Sequence, residues 1–148
     1  MQISSRFTVG LHILTAIDFF HQDYKVTSDF LAGSIGTNPV LIRRLLGQLK
    51  DAGLITVPRG TGGCELAKPL NEITFWDVYQ AVDAIEDDSL FRMHDHPNSK
   101  CPVGRNIGAL LSDKLKEIQT AMEEKMKQYT VADLHEGLDE LLKQEAAV

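Results

Sequence analysis

Two short helical patterns separated only by Gly36, Thr37 and Asn38 constrain this chain more than any other feature. The second pattern, residues 38–50 (NPVLIRRLLGQLK), repeats Leu41, Ile42, Leu45, Leu46 and Leu49 at helical spacing. Arg43, Arg44, Gln48 and Lys50 fall mostly off that stripe. Asn38 is a good N-cap, and Pro39 sits at the first helical position, where its missing N–H costs nothing. The first pattern starts from Thr27 or Ser28 as cap and carries Asp29 in its first turn, where the helix dipole favours an acid. Phe30, Leu31, Ala32 and Ile35 form its apolar face, and Gly36 ends it. A short helix, a glycine turn and a second helix with a polar, basic start make a helix-turn-helix pattern.

The residues just downstream of this helix pair narrow its use. Gly53 stops the second helix, residues 54–57 are rich in β-formers, and residues 64–67 read as a short returning strand. Between them lies a Gly-rich turn, residues 58–63, with Arg59 at the tip. Its glycines do not have P-loop spacing, and they join two strands rather than a strand and a helix. A basic hairpin just after a helix-turn-helix reads as a wing. The helix is then expected in the major groove of duplex DNA, with Arg59 reaching phosphate or the adjacent minor groove. Upstream, Phe7, Leu11, Leu14, Ala16, Ile17, Phe19 and Phe20 predict a central helix over residues 5–21, apolar on most of its circumference.

The back half is organised differently. Thr74, with Asp77 three residues on, caps a helix whose apolar side is Phe75, Val78, Tyr79, Val82 and Ile85; Trp76 reads as a packing residue, against a partner subunit. Residues 86–103 break the periodicity. His94, His96 and Cys101 stand there, and three readings stay open: a structural loop cysteine, a reactive thiol ahead of a helix, or soft and borderline ligands for zinc or iron. Residues 104–129 predict the longest helix. Ile107, Leu111, Leu115, Ile118, Met122, Met126 and Tyr129 form a seam for another helix, expected to be its own copy in a two-fold dimer. Thr130 and Asp133 cap a last helix. The expected architecture is mainly α with a small β-hairpin wing. Residues 1–85 are a winged helix-turn-helix domain, 86–103 a loop with a possible sensor role, and 104–148 a dimerisation helix and a C-terminal helix.

A formal net charge of -6 argues at first against a polyanionic partner. Its distribution answers the objection. Residues 1–70 hold seven Lys/Arg against five Asp/Glu, a net of +2, and the remainder holds eight against 16. The local field steers a polyanion, not the sum. The acidic back half also keeps open an alternative, a winged-helix protein-interaction module that does not bind DNA. No triad, dyad or phosphate site emerges, so an enzyme is not expected. The start, MQISSRF, lacks a secretory pattern, no stretch is apolar enough for a membrane span, and two cysteines make no disulfide framework. A cytoplasmic location with free thiols is expected.

As an ordered set, SSRFTVGLHIL, TSDFLAGSIGTNPVLIRRLLGQLKDAGLI, RGTGGCELAKP, ITFWDVYQAV and CPVGRNI cover nearly the whole chain. In these pieces the sequence resembles the Rrf-two family of bacterial winged-helix transcription regulators. That family includes an iron–sulfur-cluster regulator, a nitric-oxide-sensitive repressor and a cysteine-metabolism regulator. The resemblance implies a homodimer that crosses its long helices and binds a partly palindromic operator; the function expected of the chain is that of a dimeric, sequence-specific transcription regulator, a repressor. It carries DNA contact to Asn38, Pro39, Val40, Arg43 and Arg44, to Ser28 at the cap of the preceding helix, and to Arg59 and Gly60 in the wing. The chain departs from the cluster-binding members, which place three closely spaced cysteines before the long helix; here only Cys101 stands there. No cluster and no other cofactor is expected. Cys101 is left as a candidate redox-sensing thiol, and Cys64 occupies a wing position where family members often carry an aromatic residue.

Overall fold

The computed structural model describes residues 3–60 and 62–148, with Glu86 by its backbone alone. Met1, Gln2 and Thr61, the last within the Gly-rich turn, lie outside the described residues. Among the described residues, six α-helices and one two-stranded antiparallel sheet follow in order: α1 (Arg6–Phe20), α2 (Ser28–Ile35), α3 (Pro39–Asp51), β1 (Ile55–Thr56), β2 (Glu65–Leu66), α4 (Phe75–Ala81), α5 (Pro102–Met126) and α6 (Val131–Ala146). The fold is mainly α with a small hairpin, as the sequence predicts.

α1 is the centre of the core. Ile13, Leu14 and Ile17 are wholly buried, and α2, α3, α4, α6 and β2 all contact the helix. Leu31 of α2 and Ile42, Leu45 and Leu49 of α3 complete the same core. Each such side chain contributes about 1.5–3 kcal/mol by leaving water. These leucines thus hold α3 in place without taking part in its exposed face. The cap of α2 is Thr27, whose Oγ1 accepts from the Phe30 amide at 3.1 Å. Ser28 is the first helical residue rather than the cap. Gly36 adopts φ +77°, a left-handed conformation that closes α2 and aims the chain into α3. Asn38 caps α3 through Oδ1, 2.8 Å from the Val40 amide.

The wing ladder is shorter than four-residue strands would give. Among the described residues only Ile55↔Leu66 and Thr56↔Glu65 pair, extended by an Ala67 amide to Leu54 carbonyl bond of 3.0 Å. At Cys64 the returning strand leaves β1 for the segment before α2: the Cys64 amide and its thiol both donate to the Val26 carbonyl, each at 3.0 Å. α4 ends at Ala81, one turn short of the Ile85 stripe. Asp83 takes a left-handed φ of 49°, and the Ala84 amide returns to the Tyr79 carbonyl, a helix-ending geometry.

The long helix begins at Pro102, inside the span expected to be loop, because Cys101 leaves the loop in an extended conformation at the N-cap position and Pro102, with its helical φ, takes the first position. It ends at Met126, not Tyr129. No residue of α5 is buried. The preceding loop runs back along it: Gln119 accepts from the Leu90 amide at 3.0 Å and donates to the Asp88 carbonyl at 2.8 Å. Gly104 lets the loop approach, since a Cβ there would overlap the Asn98 carbonyl oxygen. α6 folds back onto α1. Val131 is wholly buried, and His135 bridges Asp18 of α1 (Nδ1 to Oδ2, 2.6 Å) and Asp139 of its own helix (Nε2 to Oδ2, 3.3 Å). Trp76 stacks on Tyr79 within the subunit (centroids 5.4 Å apart, 22° between planes).

Candidate nucleic-acid interface

Burying Ile42, Leu45 and Leu49 fixes which side of α3 faces out. Val40, Arg43, Arg44, Gly47 and Lys50 are all exposed, and they recur at the spacing of one helical face. Val40 is 65% exposed, so the first turn presents an apolar side chain beside two guanidinium groups. Gly47 adds no side chain, which lets backbone come close to whatever lies against the helix.

Three elements meet beside that face. A cleft of about 350 Å³ is lined by Thr27 and Ser28 at the start of α2, Arg43, Gly47 and Lys50 of α3, and residues 57, 62 and 63 of the hairpin. Ser28 and Arg43 are thereby brought together. Asn38, Pro39, Val40 and Arg44 lie outside the cleft on the adjoining turns of α3, and Arg59 and Gly60 stand beyond it at the exposed hairpin tip. Of the amides that open α2, that of Phe30 is taken by Thr27 Oγ1, while those of Ser28 and Asp29 come before the first intrahelical bond, so the cleft combines a helix N-terminus, a hydroxyl and two cationic side chains. Arg43 is weakly held by Asp29 (3.8 Å, both side chains more than half exposed), a pair that solvent screens and an incoming anion can displace.

Asn38 Oδ1 accepts from the Val40 amide as the α3 cap, which leaves its second lone pair and the side-chain amide nitrogen for a further partner. Lys50 and Gly47 belong to the surface although sequence reasoning did not select them. Their signal was present, since both sit one or two turns from Arg43 on the face opposite the leucines.

The thiols differ sharply. Cys64 is 5% exposed, and burial pushes its pKa to about 11, only partly offset by its own backbone hydrogen bond. Cys101 sits partly exposed at the start of α5, where the backbone amides of Gly104 and then Val103 lower its pKa below the ordinary thiol range. His94 and His96 are exposed, and among the described residues no three His, Cys, Asp or Glu side chains converge as a metal-holding group. Among the described residues no helix is long and apolar enough to cross a membrane.

Residues 3–137 match the Rrf2 family, described as an iron-dependent transcriptional regulator. YwnA of Bacillus subtilis (strain 168), named an HTH-type transcriptional regulator, is 38% identical over 132 residues, spanning 89% of this chain and 96% of that protein. A crystal structure of a transcriptional regulator from Lactobacillus plantarum superposes with a TM-score of 0.76 at 28% identity, covering 97% of each chain. CymR, titled the global cysteine regulator of B. subtilis, superposes at 0.67 with 20% identity, covering 92% of this chain and 97% of that one; at that distance the likeness is of fold. Among the described residues the iron in the family description finds no matching donor set: Cys64 is buried and hydrogen-bonded to the Val26 carbonyl, and Cys101 faces amides.

Proposed function

The chain belongs to the Rrf2 family of transcriptional regulators, and from that premise we propose that it is a dimeric, sequence-specific DNA-binding regulator, acting as a repressor in the cytoplasm. The carrying observation is the cleft where the start of α2, the exposed face of α3 and the hairpin meet. Residues 1–85 form the DNA-binding unit, 86–101 a loop docked on the long helix, and 102–148 the dimerisation arm with α6 tucked against α1. The first turns of α3 enter the major groove. Arg43 and Arg44 read guanine edges, Val40 meets a thymine methyl, and Pro39 with the Asn38 amide packs against the groove wall. Ser28, the α2 amides and Lys50 hold phosphate, while Arg59, carried on the Gly60 turn, enters the flanking minor groove. Two copies address a partly palindromic operator. Cys101, the more acidic thiol, is where an oxidant would act.

The test is a binding selection from genomic fragments, followed by anisotropy titrations across a salt series. Affinity should fall steeply with salt. Arg43→Ala or Arg44→Ala should cost about 1–3 kcal/mol and relax one base position, whereas Arg59→Ala should weaken binding most on A·T-rich flanks. Unchanged affinity in all three variants would remove this surface from the assignment. Equal operator binding by Cys101→Ser under oxidant and reductant, matching the unmodified protein, would remove the thiol switch.

A further inference from the structure

Outside the DNA-facing surface, one cleft of about 370 Å³ opens between α4 and the C-terminal part of α5. Trp76, Tyr79, Gln80, Asp83, Asp88 and Glu123 line it. Tyr79 is 4% exposed, and its hydroxyl has no hydrogen-bond partner among the described residues. A buried polar atom left unpaired is costly, and natural cores leave few of them. The three carboxylates beside it make no ion pair among the described residues. The nearby cations are otherwise engaged: Arg6 donates to the Asp83 backbone carbonyl at 2.7 Å, and Lys127 pairs with Glu124 at 2.6 Å. Trp76 stacks on Tyr79 and presents an aromatic wall, over which Lys127 already lies at 5.6 Å. The site thus offers an orphan hydroxyl, three carboxylates without a counter-ion among the described residues (Glu123 accepts only from the neutral Gln119 side chain, at 3.0 Å), and the Trp76 ring, from which an incoming ammonium would displace Lys127.

We propose that this cleft binds a small primary alkylammonium ligand, which donates to the Tyr79 hydroxyl oxygen, pairs with Glu123 and Asp88, and lays its chain along Trp76. A positively charged N–H donor satisfies all three features, whereas an anion meets repulsion and a neutral alcohol leaves the carboxylates unanswered. Burial first, then the charges of Glu123 and Asp88, hold the Tyr79 hydroxyl protonated above its ordinary range, which agrees with a negative potential at that oxygen. α4 contacts both α3 and α5, so an occupant sits one helix away from the exposed face of α3.

Trp76 is the only tryptophan, so its emission reports on the cleft directly and without DNA. The full chain is titrated with 1,4-diaminobutane, butylamine, 1-butanol and tetramethylammonium, and calorimetry repeats each titration. Saturable quenching by the two primary amines is expected, with little response to butanol. Tetramethylammonium, having no N–H, should bind at least about tenfold more weakly, and Tyr79→Phe and Glu123→Gln should each weaken butylamine by about tenfold. Tyr79→Phe removes an unpaired hydroxyl and should fold at least as stably; if it does not, Glu123→Gln alone carries the comparison. No saturable response to either amine, an equal response to butanol, or unaltered affinity in Glu123→Gln would overturn the proposal. None of these outcomes depends on operator binding.

Discussion

At the scale of single residues, this structure repeatedly separates what a side chain is from what it is free to do. Asn38 is the α3 cap and, on the proposed reading, also an interface residue. Asn38→Asp keeps an oxygen for the Val40 amide, so urea unfolding should shift by less than about 0.5 kcal/mol, whereas Asn38→Ala should lose about 1 kcal/mol. Anisotropy should nonetheless report weaker operator binding by the Asp variant, because it sets a carboxylate against phosphate. If the Asp variant binds as tightly as the parent, Asn38 does not face DNA. The two thiols make the same distinction. Below pH 9 both folded and unfolded chains keep the Cys64 proton. Between the ordinary value of 9.0 and about 11 the unfolded chain releases it while the folded chain holds it, so stability falls as pH rises. The loss should be on the order of 2 kcal/mol by pH 11, and Cys64→Ala should remove that dependence from urea curves run at pH 8 and 10.5. Iodoacetamide should label Cys101 in the native protein at a lower pH than an ordinary thiol and leave Cys64 untouched, as peptide mass mapping would report.

At the scale of elements, local signals were legible and returns of the chain were not. Thr74 with Asp77, Asn38 with Pro39, and Gly36 were readable because caps and turns depend on neighbours within one helical turn. Of the interface, the outward face of α3 followed from its leucine stripe. The docking of α6 on α1 did not, because the contact of His135 with Asp18 spans more than a hundred residues and leaves no periodic trace. The pairing of Cys64 with Val26 was hidden for the same reason, and so was the loop laid along α5. That loop depends on Gly104. Gly104→Ala should push the Asn98 carbonyl away and break its bond from the Cys101 amide (3.1 Å). Hydrogen exchange should then speed at Cys101 and Leu90, with a stability loss of about 1–3 kcal/mol. Unaltered exchange at both amides would mean that the loop is held elsewhere.

At the scale of the whole molecule, the apolar surface of α5 divides into two faces. Leu115 lines a cleft against Phe91 and Met93 of the loop, and Met122 and Met126 pack on the core, so that side is used within the subunit. Val103, Leu110 and Ile118 lie on the neighbouring side at 64%, 59% and 54% exposure, with Ile107 between them. A helix of 25 residues with nothing buried gains little stability from its own backbone, and an uncovered stripe of this length suits a second helix. On the proposed reading, two copies paired along that stripe address two half-sites of one duplex. Leu110→Glu with Ile118→Glu should therefore give monomers by analytical ultracentrifugation with the helical circular dichroism of α1–α4 retained. Linking two half-site contacts multiplies affinity by about 10²–10⁴, so the same variant should lose at least about a hundredfold on the full operator but little on an isolated half-site. Equal losses on both DNAs would place the stripe in the folding of the subunit, and an intact dimer would place the pairing on another surface.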